Sequence, residues 1–101
     1  MSNLLAKLEA INDRFREVSE LIVDPAVIAD MKRYVKLNKE YKDLQPLINA
    51  YKEYKSAIDN IVGSKEMLKT ETDEDFKEMA KAELEQSEKR KEELEEEIKI
   101  L

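Results

Sequence analysis

The chain has 101 residues and a net charge of -6, with 42% charged and 42% hydrophobic residues, one glycine, two prolines, no cysteine and no histidine. One glycine cannot build a phosphate-cradling loop, and so few turn formers argue against an all-β fold. Without Cys or His there is no disulfide, no Ser-His-Asp triad and no ordinary zinc centre, which leaves a helical, non-enzymatic chain with no cofactor expected.

The first apolar series is Leu4, Leu8, Ile11, Phe15, Val18 and Ile22. Its alternating steps of four and three form a heptad seam and predict a helix over 3–23. Leu5 and Leu21 widen the stripe, and Ser2 or Asn3 is the expected cap. Pro25 disfavours helical backbone at Asp24 and stops this helix. Asp24 then serves as N-cap, with Pro25 in the first turn of the next.

A long helix is expected over 26–70. Val27, Met31, Tyr34, Leu37, Tyr41 and Leu44 begin its seam, and Leu47, Ile48, Tyr51, Tyr54, Ile58, Ile61, Val62 and Leu68 continue it. Pro46 lacks an N–H and crowds the carbonyl of Lys42, so a kink or a very short junction is expected there. The helix is read as passing through Gly63, at a cost of about 1 kcal/mol relative to Ala.

Thr70 to Asp75 is the clearest turn, with a Thr or Asp N-cap followed by first-turn acids. The last helix, over 73–101, shows Phe76, Ala80, Leu84, Ser87, Lys91, Leu94, Ile98 and Leu101 in its seam. Ser87 and Lys91 dilute that seam. Lys89, Arg90 and Lys91 face Glu92, Glu93, Glu95 and Glu96 at ion-pairing separations. The apolar rise at Ile98–Leu101 without a cap suggests a fragment of a longer protein.

Residues 71–101 carry -7 and residues 1–70 carry +1, so the acidity belongs to the last segment. A solvated helix face is the expected use of that charge. The glutamates at 92–97 have no apolar enclosure to split their pKa values, so paired-carboxylate catalysis is not expected. No metal site is expected either. No stretch approaches the roughly 20 apolar residues of a membrane span, and no signal peptide is read at the N-terminus. Cytoplasm is the expected compartment.

Residues 31–55 carry +4 and hold all four tyrosines. Lys32, Lys36 and Lys39 lie roughly opposite the stripe of Tyr34, Leu37 and Tyr41. Stacking on bases needs cations and aromatics on one face, so core tyrosines with a solvated basic back are the better reading. Lys32, Lys36 and Lys39 remain candidates for a secondary contact to RNA phosphate.

Residues 30–54 run from Asp30-Met-Lys-Arg-Tyr34 through Tyr41-Lys-Asp-Leu-Gln-Pro46 to Tyr51-Lys-Glu-Tyr54. This stretch resembles the N-terminal region of bacterial class I peptide chain release factors, of the type that reads UAA and UAG. Leu4-Leu5-Ala-Lys-Leu-Glu-Ala10, Val23-Asp-Pro-Ala-Val-Ile28, Lys65-Glu-Met-Leu68 and Asp75-Phe-Lys-Glu-Met-Ala80, with Glu83-Leu84 after them, look similar too. The likeness spans essentially the whole chain. Neither Gly-Gly-Gln nor Pro-x-Thr occurs, so the family's hydrolysis-promoting and codon-reading elements are absent from this sequence. The resemblance implies a single helical N-terminal domain, 1–101, that binds and positions. Its implied partners are the ribosome, toward the stalk base of the large subunit, and the rest of the parent factor. No membrane and no small-molecule substrate are expected.

The expected fold is all-α: an elongated antiparallel bundle, or coiled-coil-like hairpin, of three to four helices. A generic coiled-coil scaffold and a helical RNA-binding module are the alternatives. A tight parallel dimer in sedimentation favours the first, and salt-dependent RNA affinity the second.

Overall fold

The computed structural model describes residues 3–101 and is all-α. Its four helices are α1 (Asn3–Leu21), α2 (Pro25–Ala29), α3 (Met31–Thr70) and α4 (Glu74–Lys99). No strand occurs among the described residues. Packing divides the chain into two compact units, Met1–Tyr51 and Lys52–Leu101.

In the first unit, α1 stops two residues earlier than the periodicity predicts. Ile22 and Val23 form a turn, in which the Asp24 N–H donates to the Leu21 carbonyl at 3.1 Å. Asn3 already lies in the helix, so it is not the cap; Ser2 lies outside the described residues. Asp24 caps α2 as expected, its carboxylate accepting from the Ala26 N–H at 2.9 Å, with Pro25 beginning the helix.

The predicted helix over 26–70 is two helices. Asp30 adopts extended backbone, φ -96° and ψ 90°, and its N–H closes α2 by donating to the Val27 carbonyl. Its carboxylate accepts from the Arg33 N–H at 3.3 Å and opens α3. A short aspartate side chain that satisfies a backbone donor competes with helix continuation, so one residue ends one helix and starts the next. This break shifts the register. Met31, expected in the seam, is exposed.

Val18, Val27 and Leu37 form the buried core here, with Leu21, Ile22, Tyr34 and Tyr41 packed around it. One residue from each of three helices meets in that core. Phe15 stacks on Tyr41 with ring centroids 4.9 Å apart. Phe15 meets Tyr41 while the later Val18 meets the earlier Leu37, so α1 and the first part of α3 run antiparallel. Each fully buried aliphatic side chain contributes about 1.5–3 kcal/mol.

α3 continues through Pro46 with no junction. It also continues through Gly63, as expected. In the second unit its inward positions are Tyr54, Ala57 and Ser64, opposed by Ala80, Ser87, Leu94 and Ile98 of α4. Ser87 therefore serves as a small buried seam residue of α4. Val62 falls off the inward stripe and is exposed, as are Phe76 and Leu101. The turn is Glu71–Asp73, and Asp73 is the cap: its carboxylate accepts from the Asp75 N–H at 2.9 Å and the Phe76 N–H at 3.4 Å. α4 ends at Lys99, short of the predicted 101.

A Cβ added at Gly63 meets nothing within 4 Å. Gly63→Ala is therefore expected to stabilise the chain by about 0.5–1 kcal/mol, through lower unfolded-state entropy and better helix propensity. A raised urea midpoint checks this; an unchanged or lowered midpoint contradicts it. Asp73→Ala removes the cap of α4 and is expected to cost about 1 kcal/mol in the same measurement.

Candidate functional site

The basic face of α3 begins immediately after the Asp30 break. Lys32, Lys36 and Lys39 are all exposed, on the side of α3 away from the buried Leu37. Their spacing of four and three residues puts them in one row along the helix. Lys39 donates to the Asp43 carboxylate at 2.9 Å, which offsets its charge. Among the described residues, Lys32 and Lys36 have no such partner. The structure thus brings the three candidates onto one face but leaves two of them as the free cations.

A shallow groove of about 410 Å3 lies beside this row, lined by Met31, Tyr34, Val35, Asn38, Lys39 and Lys42. Of the three predicted lysines, only Lys39 borders it. Lys42 is a neighbour the sequence reading did not single out. Its i,i+3 distance from Lys39 was the available signal.

The tyrosines are engaged inside the fold. Tyr51 and Tyr54 are buried, and Tyr34 and Tyr41 are half-buried. Tyr54 is fully buried, and its hydroxyl donates to Glu95 Oε2 at 2.7 Å. Lys91 Nζ sits 6.0 Å from the centre of the Tyr54 ring and donates to the same Glu95 oxygen at 3.3 Å. A phenol held by a carboxylate in this way has no face open to a nucleic-acid base.

Two arginines link helices inside the units. Arg14 of α1 grips Glu40 of α3 with two bonds, Nε to Oε2 at 2.6 Å and Nη2 to Oε1 at 2.7 Å. Arg90 of α4 donates from Nε to Glu53 of α3 at 2.6 Å and reaches Glu97 of its own helix at 3.2 Å. Both pairs are partly exposed, so water screens them and their contribution to stability is small; the Arg14–Glu40 fork fixes helix register. The sequence reading paired charges only within helices, and these links joining helices escaped it. Sequence separation gives no sign of contacts 26 and 37 residues apart.

These contacts hold three glutamates below the usual carboxylate range. Glu40 is lowered by its hydrogen bond from Arg14, and Glu53 by its bond from Arg90. Glu95 is lowered first by the Tyr54 hydroxyl and then by Lys91. The acidic run is thus not uniformly a solvated face, because Glu95 is half-buried against the tyrosine. Among the described residues, no group of three or more acidic side chains is arranged to hold a metal ion. No helix among them is long and apolar enough to cross a membrane.

Each lowered carboxylate stabilises the fold fully above its ordinary pKa, and that stability is lost as pH falls through the lower folded value. Stability is therefore expected to be level above about pH 5 and to decline below it. Glu95→Gln is expected to lower the urea midpoint near neutral pH and to make the acid decline shallower. Equal acid declines in the two chains would contradict this account of Glu95.

Comparison with known proteins places this arrangement. The PCRF domain family matches residues 11–101. Peptide chain release factor 1 of Bacteroides thetaiotaomicron is 54% identical over 100 residues, which cover 99% of this chain and 27% of that protein. The proteins of the same name from Cytophaga hutchinsonii and Clostridioides difficile are 51% and 49% identical over 98 residues, covering 97% of this chain and 27% and 28% of theirs. The chain thus spans about a quarter of the length of the curated relatives it matches. No solved structure matches. With a family match over nine-tenths of its length and half its residues identical to those relatives, the chain belongs to the peptide chain release factor family, through its PCRF domain.

Proposed function

We propose that this chain is the helical binding and positioning module of a release factor. In this reading the whole protein recognises UAA and UAG on the ribosome and triggers hydrolysis of peptidyl-tRNA. The PCRF match over 11–101 carries the proposal, supported by relatives named peptide chain release factor 1. The module forms one N-terminal domain, 1–101, and leaves catalysis to the rest of the parent. That division is supported by the lack of Gly-Gly-Gln and Pro-x-Thr in the sequence and by the structural use of its polar clusters. Its partners are the ribosome, at the stalk base of the large subunit, and the remainder of the factor. It works in the cytoplasm and takes no small-molecule substrate.

Within this reading, Lys32 and Lys36 are the residues best placed to meet RNA phosphate, with Lys39 partly committed to Asp43. Phosphate contacts release counterions, so such binding weakens steeply with salt.

A reconstituted termination assay tests the function. The full-length factor carrying this segment is expected to release peptide from ribosomes stopped at UAA or UAG, and this chain alone to release none. Release by the chain alone would overturn the positioning role, and failure of the full-length factor at both codons would overturn the family function. Replacing Lys32, Lys36 and Lys39 by Glu is expected to weaken ribosome co-sedimentation most at low salt. Unchanged co-sedimentation would remove the phosphate role from these lysines.

A further inference from the structure

The second unit carries a groove of about 370 Å3, formed by the end of α3 and the start of α4. Gly63, Met67, Phe76 and Met79 are among its lining residues, with Asp59 and Glu83 as its charged members. Phe76 is 48% exposed and Met79 65%. Both are large apolar side chains on an otherwise highly charged helix.

Gly63 is unexplained by the fold itself. Its φ is not positive, so the backbone does not need glycine there. No neighbour is too close for a Cβ, so internal packing does not need it either. Gly63 lines the groove, and a Cβ there would stand in open space. The two methionines add adaptable, unbranched apolar surface, which suits a docking face. Both charged lining residues are acidic. Asp59 has no ion pair or side-chain hydrogen bond among the described residues, and Glu83 accepts only from the Ser87 hydroxyl at 3.4 Å. The groove thus pairs an apolar floor with carboxylates that lack a cation.

We propose that this groove docks an amphipathic helix of a protein partner, its apolar face over Gly63 and Met79 and its Lys or Arg side chains on Asp59 and Glu83. A helix suits a channel walled by two helices, where a glycine lets a third backbone come close. The same carboxylates repel nucleic acid. The groove is argued from its own residues and stands independently of the release-factor reading.

Fluorescence anisotropy on the full chain tests this. The probe is a labelled peptide of about 14 residues, with Leu on one helical face and Lys on the other. Saturable one-to-one binding is expected. Gly63→Leu fills the groove and is expected to weaken binding at least about tenfold, as loss of a central docking pocket does. Its helix is expected to remain intact by circular dichroism. Asp59→Asn with Glu83→Gln is expected to weaken binding severalfold and flatten its salt dependence. Should Gly63→Leu unfold, the exposed Met79→Gln carries the same expectation. The proposal is overturned if the groove-filling variant binds within about twofold of the parent, since electrostatic adhesion alone then accounts for binding. Equal binding of a Leu/Glu peptide, or of an oligouridine, also overturns it.

Discussion

A helix of forty residues gains little net stability from its own hydrogen bonds in water, so α3 depends on what covers its apolar stripe. That stripe is the constraint to which the other elements answer. In the first unit, α1 and α2 cover Leu37, and Phe15 lies flat on Tyr41. In the second, α4 runs beside Tyr54, Ala57 and Ser64. Pro46 and Gly63 each weaken the helix locally, one by removing an N–H and the other by adding unfolded-state freedom. The helix persists through both because packing, more than local propensity, holds it.

Polar groups secure the register that apolar contacts leave loose. Leucine and valine contacts tolerate small slides, whereas a two-bond arginine–glutamate fork tolerates few. Arg14 with Glu40 supplies such a fork in the first unit, and Arg90 ties α4 to Glu53 by a single bond in the second. Glu95 does similar work at the deepest aromatic, since the buried Tyr54 hydroxyl needs an acceptor. Most of the chain's interhelical electrostatics is therefore committed to architecture. Lys32, Lys36, Asp59 and Glu83 are among the charged side chains outside these links.

Much of the fold was legible in the residues. Heptad spacing marked α1, the long helix and α4, while Asp24-Pro25 and the acidic turn before Phe76 marked two breaks. Asp30 escaped because nothing in a single aspartate distinguishes a surface position from one that bonds the backbone. Ala57 and Ser64 escaped because a seam count weights bulk, and Ser87, though in the expected seam, counts there as a dilution, whereas a close helix approach needs small residues. The row Lys32, Lys36, Lys39 was readable from spacing. Its differing engagement was not, because the Lys39–Asp43 pair depends on side-chain conformation.

By itself the sequence determined an all-α chain without thiol or imidazole chemistry, and its long pattern match pointed to the release factor family. Those conclusions follow from residue type and period, which belong to the chain before it folds. The tertiary structure alone decided where the helix breaks at Asp30, which charges pair between helices, and that Gly63 lines a groove with Met79 and Phe76. Each of these depends on residues distant in sequence or on backbone geometry at one position, and neither is encoded in a local period.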